Sequence, residues 1–156
     1  MTKITPTDPG KGPDHDNVYR EAVASYLKSI HQDHSLDTFK SRSTFNYLKE
    51  TPQGSIRIEI YLKPWLEAFT FYAYAVHRIS ENHHPDLMAA LASANSGHQT
   101  IKTEINPKTG EIRCGYAMFL ISHFVTPIYL KEMERCCLAM METLLPTIRH
   151  YAQQTD

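Results

Sequence analysis

The run "IRIEIYLK" alternates strictly, with Ile56, Ile58, Ile60 and Leu62 on one face and Arg57, Glu59, Tyr61 and Lys63 on the other. Successive side chains of a pleated chain point to opposite faces, so a period of two predicts a strand buried on one side. Upstream, "DNVYREAVASYLKSIHQ" sets Val18, Ala22, Val23, Tyr26, Leu27 and Ile30 at helical spacing, with Asp16 or Asn17 placed to cap the first turn. From Ser35 to Ser43 the chain is polar and unpatterned, and no element is expected there. Strand character begins at "TFNYLKE", where aromatic and β-branched residues alternate with polar ones, and "TPQGS" turns the chain into the Ile56 strand.

Beyond Pro64 and Trp65, "AFTFYAYAV" is apolar on both faces and rich in β-formers, which predicts a central strand or one covered on each side. "HPDLMAALASANSG" reads as a short helix. Pro85 and Asp86 sit in its first turn, Leu87, Met88, Leu91 and Ala94 form its stripe, and Asn95 and Gly97 stop it. "TIKTEI" and "EIRCGYAMFL" flank the turn "NPKTG" and predict an antiparallel hairpin, with Ile101, Thr103 and Ile105 facing the core beside Ile112, Cys114, Tyr116 and Met118. Last, Thr126 and Pro127 open a long helix whose stripe is Leu130, Met133, Cys137, Met140, Met141, Leu144 and Ile148, with Pro146 expected to kink or end it.

The predicted order is α-β-β-β-α-β-β-α, an α+β domain with an antiparallel sheet of about five strands and three helices packed on it. Residues 1–13 carry three prolines, two glycines and no apolar periodicity, and are expected to form a flexible tail ahead of a single domain over 14–156. A chain of 156 residues is long enough for one two-layer core without metal or disulfide staples.

From Val76 onward the chain resembles the YbjN-type domain family, also called bacterial sensory transduction regulators, whose fold looks like that of type III secretion chaperones. The resemblance rests on "PDLMAALASANSG", on the hairpin "IKTEINPKTGEIRCGYAMFL", and on the helix that opens with "VTPIYLKEM" and continues through "METLLPTIRHYA". The "GEIR" turn and its following strand are the strongest part, and the helix-strand-strand-strand start agrees in order only. The resemblance implies a non-enzymatic, protein-binding or chaperone-like domain, often dimeric. That family has no agreed catalytic site, so it assigns no functional residue here.

Charge narrows the partners. Sixteen Lys and Arg against seventeen Asp and Glu give a formal net charge of -1, so no global basic field draws the chain to nucleic acid or anionic lipid. The N-terminus lacks an apolar signal core and no apolar run is long enough to span a bilayer, which predicts an unexported protein. Three cysteines, Cys114, Cys136 and Cys137, form neither a disulfide framework nor a spaced metal knuckle, and fit a reducing cytoplasm.

Candidate chemistry is sparse. His77, His83, His84 and His98 surround the short helix, but zinc needs three or four converging ligands, usually from spaced pairs, and no Cys or carboxylate stands at ligand spacing. Solvated histidines at a helix boundary are the favoured reading, with a metal-binding protein or metal-dependent enzyme using these four as the alternative. The cysteines read as buried, inert thiols and the methionines as gap-filling core. Glu132 and Glu134 point apart on a helix and do not share a substrate. No phosphate loop or nucleophile motif occurs, so no catalytic, cofactor or metal residue is assigned.

One feature is not absorbed by the core. If the isoleucines of the alternating strand face the helices, the opposite face carries Tyr61 and, from neighbouring strands, Tyr72, Tyr74 and Phe119, mixed with Arg57, Glu59 and Arg113. Either the first or last helix covers this face within the monomer, or the face receives a partner. Aromatics with arginine are what binding surfaces favour, so these four residues are the expected contact with another protein or peptide, or with a second copy in a homodimer.

Overall fold

In the computed structural model, residues 15–39, 42–63, 68–119 and 126–154 are described; the expected tail over 1–13 lies outside them. The strands are β1 (Ser35–Phe39), β2 (Arg42–Thr51), β3 (Gly54–Lys63), β4 (Ala68–Arg78), β5 (Ile101–Ile105) and β6 (Glu111–Phe119). They pair antiparallel in one six-stranded sheet of order β1-β2-β3-β4-β6-β5. The register aligns the apolar sets across the sheet: Phe45, Ile60, Phe71, Tyr116 and Ile101 make one row, and Tyr47, Ile58, Ala73, Cys114 and Thr103 the next. β4, apolar on both faces in sequence, lies centrally between β3 and β6.

Three helices, α1 (His15–Ser29), α2 (His84–Ser96) and α3 (Pro127–Ala152), close this inner face. α3 lies on β3, β4 and β6, α1 packs on α3, and α2 packs on β5 and α3. Leu130, Met133, Cys137, Met140, Met141, Leu144 and Ile148 are all buried, as the stripe predicts, and Thr126 caps the helix by accepting from the Tyr129 N–H. α3 does not end at Pro146 but runs on to Ala152. The proline removes one backbone donor, and the buried neighbours Leu144, Leu145 and Ile148 hold both flanking turns on the core.

Three expectations change. The unpatterned segment after α1 contains β1, an edge strand in which every residue is exposed, so the sheet has six strands and not about five. With neither face buried, nothing selects an alternating pattern. In α1 the buried residues are Tyr19, Val23, Tyr26 and Leu27, whereas Val18 is exposed; in α2, Leu87 and Leu91 are buried and Met88 is exposed. Each helix rests on its support along a narrower stripe than its apolar residues suggest.

The two edges of the sheet differ. On β5, Thr103 N–H donates to Asn95 Oδ1 (2.7 Å) while Asn95 Nδ2 donates to the Thr103 carbonyl (2.9 Å). One side-chain amide thus makes both bonds that a neighbouring strand would make, and plugs the edge at its midpoint. β1 has no such cover among the described residues.

A polar cluster lies inside the α1–α3–sheet junction. Glu134, 6% exposed, accepts from Tyr26 Oη on α1 and from Tyr47 Oη on β2 (3.0 Å), and Lys49 Nζ stands 3.5 Å away. Burial first, then the adjacent Glu134, raises both phenols above their ordinary value of 10.0. A group that keeps its proton longer when folded contributes stability that is intact below the unfolded pKa and is lost as pH rises past it. The unfolding free energy is therefore expected to fall steeply with pH above about 10. In Tyr47→Phe that slope becomes shallower, as urea titrations across pH 9 to 11 would record; an unchanged slope would show that Tyr47 titrates as in the unfolded chain.

Candidate partner-binding face

Alternation that buries the isoleucines turns Arg57, Glu59 and Tyr61 outward, and the register gathers the remaining polar and aromatic residues around them. Leu48, Arg57, Tyr74, Arg113 and Glu104 form one outer row; Asn46, Glu59, Tyr72, Gly115 and Lys102 form the next; Thr44, Tyr61, Thr70 and Ala117 form a third. No described helix lies on this side, because the buried residues of α1, α2 and α3 join the inner-face core. The three tyrosines thus share one face, with Tyr72 and Tyr74 adjacent (centroids 5.9 Å apart) and Tyr61 a row away. Phe119 pairs with Ala68 on the same face by register; its side chain is outside the described residues.

The rings are not bare. The Arg57 guanidinium lies 4.1 Å from the Tyr74 centroid and that of Arg113 lies 4.6 Å from Tyr72. Arg42 donates to Tyr61 Oη, and Lys63 stands 5.3 Å from that ring. Each stacked arginine is also paired with carboxylates, Arg57 with Glu59 and Glu111 and Arg113 with Glu104. Gly115 makes room for the lattice, since a Cβ there would meet the Tyr72 ring at 2.9 Å. Tyr74 is 6% exposed beneath this cover. Burial raises its phenol, the hydrogen bond from Arg113 opposes the shift, and Glu59 reinforces it. For Arg113, burial acts to lower its pKa and is outweighed by hydrogen bonds with Tyr74 and Glu104. The result is a pre-ordered surface of paired charges on which the rings of Tyr61 and Tyr72 are half-buried. The capping of Tyr74 depends on cross-strand register and has no signature within any single run.

The histidines do not converge. A short 3₁₀ turn, Glu81–His83, leads into α2, so the group does mark a helix start, yet His84 is buried, not solvated, and its Nε2–H donates to the Ile79 carbonyl at 3.1 Å. His83 packs against Tyr151, His77 is half-buried on β4, and His98 is exposed past the helix end. Among the described residues, no three His, Cys, Asp or Glu side chains come together to hold a metal ion. Cys114 and Cys137 are buried in the core, and Cys136 flanks them half-buried. Burial, and for Cys137 first its hydrogen bond with Cys114, pushes the thiols of Cys136 and Cys137 up, away from the nucleophilic form. Glu132 pairs with Arg135 on the solvent side of α3 while Glu134 points into the core.

Helices confined to one side of an antiparallel sheet, in the order α-β-β-β-β-α-β-β-α, define an α+β domain of YbjN-like, chaperone-like fold. The crystal structure of YbjN, a proposed transcription regulator from E. coli, superposes with a TM-score of 0.60 at 12% identity, over 81% of this chain and 87% of that one. The HopA1-SchA chaperone-effector complex matches with a TM-score of 0.58 at 12% identity, over 92% of this chain and all of the other. At such identity the likeness is one of fold alone. No family model matches the chain, and neither does any curated protein. No described helix is long and apolar enough to cross a membrane.

Proposed function

We propose that this chain is a non-enzymatic binding module of the cytoplasm that presents its outer sheet face to another polypeptide, in the manner of a chaperone or regulatory domain. The observation that carries the reading is the sheet face left open by every described helix and furnished with an ordered tyrosine-arginine lattice. Pre-ordered aromatics lose little side-chain freedom on contact, which is why tyrosine and arginine dominate binding hot spots. One structural neighbour being a chaperone-effector complex supports the same reading. Tyr61, Tyr72, Tyr74 and Phe119 are the proposed contacts, Tyr74 acting through the Arg57 guanidinium stacked on it, and a homodimer is the proposed resting state.

Capture experiments with wild type and Tyr72→Ala test the face. A protein enriched by the wild type is expected to be lost with the variant, since truncating a central aromatic costs about 2 kcal/mol or more, roughly thirtyfold in affinity. Equal capture by both, with the variant still folded, would remove the outer face from the contact. Sedimentation at tens of micromolar tests the dimer, and a monomer there ends that part of the proposal.

A further inference from the structure

The outer face changes character where β4 parts from β6. Pairing is regular down to Tyr74–Arg113 and resumes at Arg78–Glu111, so Ala75, Val76 and His77 stand opposite Ile112 alone. A bulge of this kind re-aims side chains, and such bulges recur beside functional sites. Here it opens a cleft of about 350 Å³ lined by Leu48, Arg57, Ala75, Val76, Arg78 and Glu111. Two aliphatic side chains are exposed in it, Leu48 at 50% and Val76 at 52%. The guanidiniums differ in commitment. Arg57 is held between Glu59 and Glu111 and stacked on Tyr74, whereas the side chain of Arg78 makes no ion pair or hydrogen bond among the described residues.

An aliphatic wall beside one uncommitted guanidinium matches a carboxylate carried on the same carbon as an apolar side chain. We infer that this cleft receives the C-terminal carboxylate of a partner polypeptide whose last residue is apolar. The inference rests on the reading above that this face binds protein, and gives it an anchor. Arg78 takes the carboxylate in a charge-assisted, two-pronged pair, and Leu48 and Val76 take the terminal side chain. An internal Asp or Glu carries its carboxylate on a stem with no apolar group beside it and leaves the wall unused. A small free acid gains only this one open cleft. A chain leaving it crosses the Arg57–Tyr74 and Arg113–Tyr72 stacks and gains contact with them as well.

The test is an NMR titration of the full chain, following the Val76 methyls and the Arg78 Nε–H. The probes are acetyl-Thr-Val-Thr-Leu as free acid, the same peptide as C-terminal amide, and N-acetyl-leucine. The free acid is expected to shift both signals and to bind about tenfold tighter than the amide, with N-acetyl-leucine weaker than either peptide. In Arg78→Gln, an exposed change that leaves the lattice in place, acid and amide become equal. Equal binding of acid and amide to the wild type overturns the inference, as does the absence of a Val76 shift at about 5 mM free acid. N-acetyl-leucine binding as tightly as the peptide overturns the polypeptide assignment. The two readings fail separately: a partner kept by Arg78→Gln and lost by Tyr72→Ala sinks the anchor alone, and a partner kept by both sinks the face.

Discussion

Glu134→Ala is expected to lower the unfolding free energy by about 3 to 5 kcal/mol, the range seen when one member of a buried charged network is removed. The loss has two sources. The phenols of Tyr26 and Tyr47 keep their buried positions without an acceptor, and each orphaned hydroxyl costs about 1 to 3 kcal/mol. The vacated volume adds a cavity between α1, β2 and α3. Glu134→Gln retains a carbonyl acceptor at the same place and should cost less than half as much. The decisive companion is the triple change Glu134→Leu, Tyr26→Phe, Tyr47→Phe, which removes the carboxylate and both phenols together, leaves only the Lys49 ammonium, one-third exposed and able to turn to water, and should recover most of the stability, because matched apolar replacement of a buried network is near neutral. Urea unfolding with an unchanged m-value reads these differences directly. A loss below about 1 kcal/mol for Glu134→Ala would mean that water enters and satisfies the phenols.

Gly110→Ala should be comparably harmful, although it adds only one methyl, at the buried last position of a hairpin turn. Gly110 closes the β5–β6 turn with φ +66°, donates its N–H to the Asn106 carbonyl, and accepts from Ile79 N–H through its own carbonyl at 3.0 Å. A Cβ there would stand 2.0 Å from the Ile79 carbonyl oxygen, a backbone atom that has no rotamer to adopt. Left-handed geometry alone costs an L-residue about 1 to 2 kcal/mol, and the displaced contact brings the expected total to about 3 kcal/mol or more. The Ile79 carbonyl also accepts from His84 Nε2, so the strain passes to the start of α2. Gly97→Ala is the control, since its Cβ meets nothing within 4 Å and its φ is −85°. Thermal unfolding should lower Tm sharply for the first and leave the second within a degree or two; equal Tm values would show that the hairpin slides freely against β4.

What the amino-acid pattern revealed and withheld follows from where each residue sits. β3 was legible because one face meets helices and the other meets water, so burial wrote a period of two into Ile56 through Leu62. β1 was hidden because both of its faces are wet. Glu134 stood in plain view on the α3 stripe, four residues past Leu130 and three before Cys137, but a charge at a core position announces a partner without naming it. Its partners, Tyr26 and Tyr47, lie 108 and 87 positions away, a distance no local pattern spans. The outer tyrosines were recognisable as one face by parity alone. Their cover of guanidiniums, the bulge at Val76 and the idle Arg78 depend on strand register, which is set by the whole sheet.

The plugged edge at β5 governs how far this molecule is able to grow. A fibril of stacked sheets needs two receptive edges on each copy, one to join the chain before it and one to offer the chain after it. Asn95 has already taken the place of the second neighbour. Two copies meeting through β1 would leave only plugged ends, because each brings its own β5 margin. Addition of copies at the sheet margin therefore stops after a single event, and a protein with six strands and an apolar core carries its own limit on polymerisation in the amide of one asparagine.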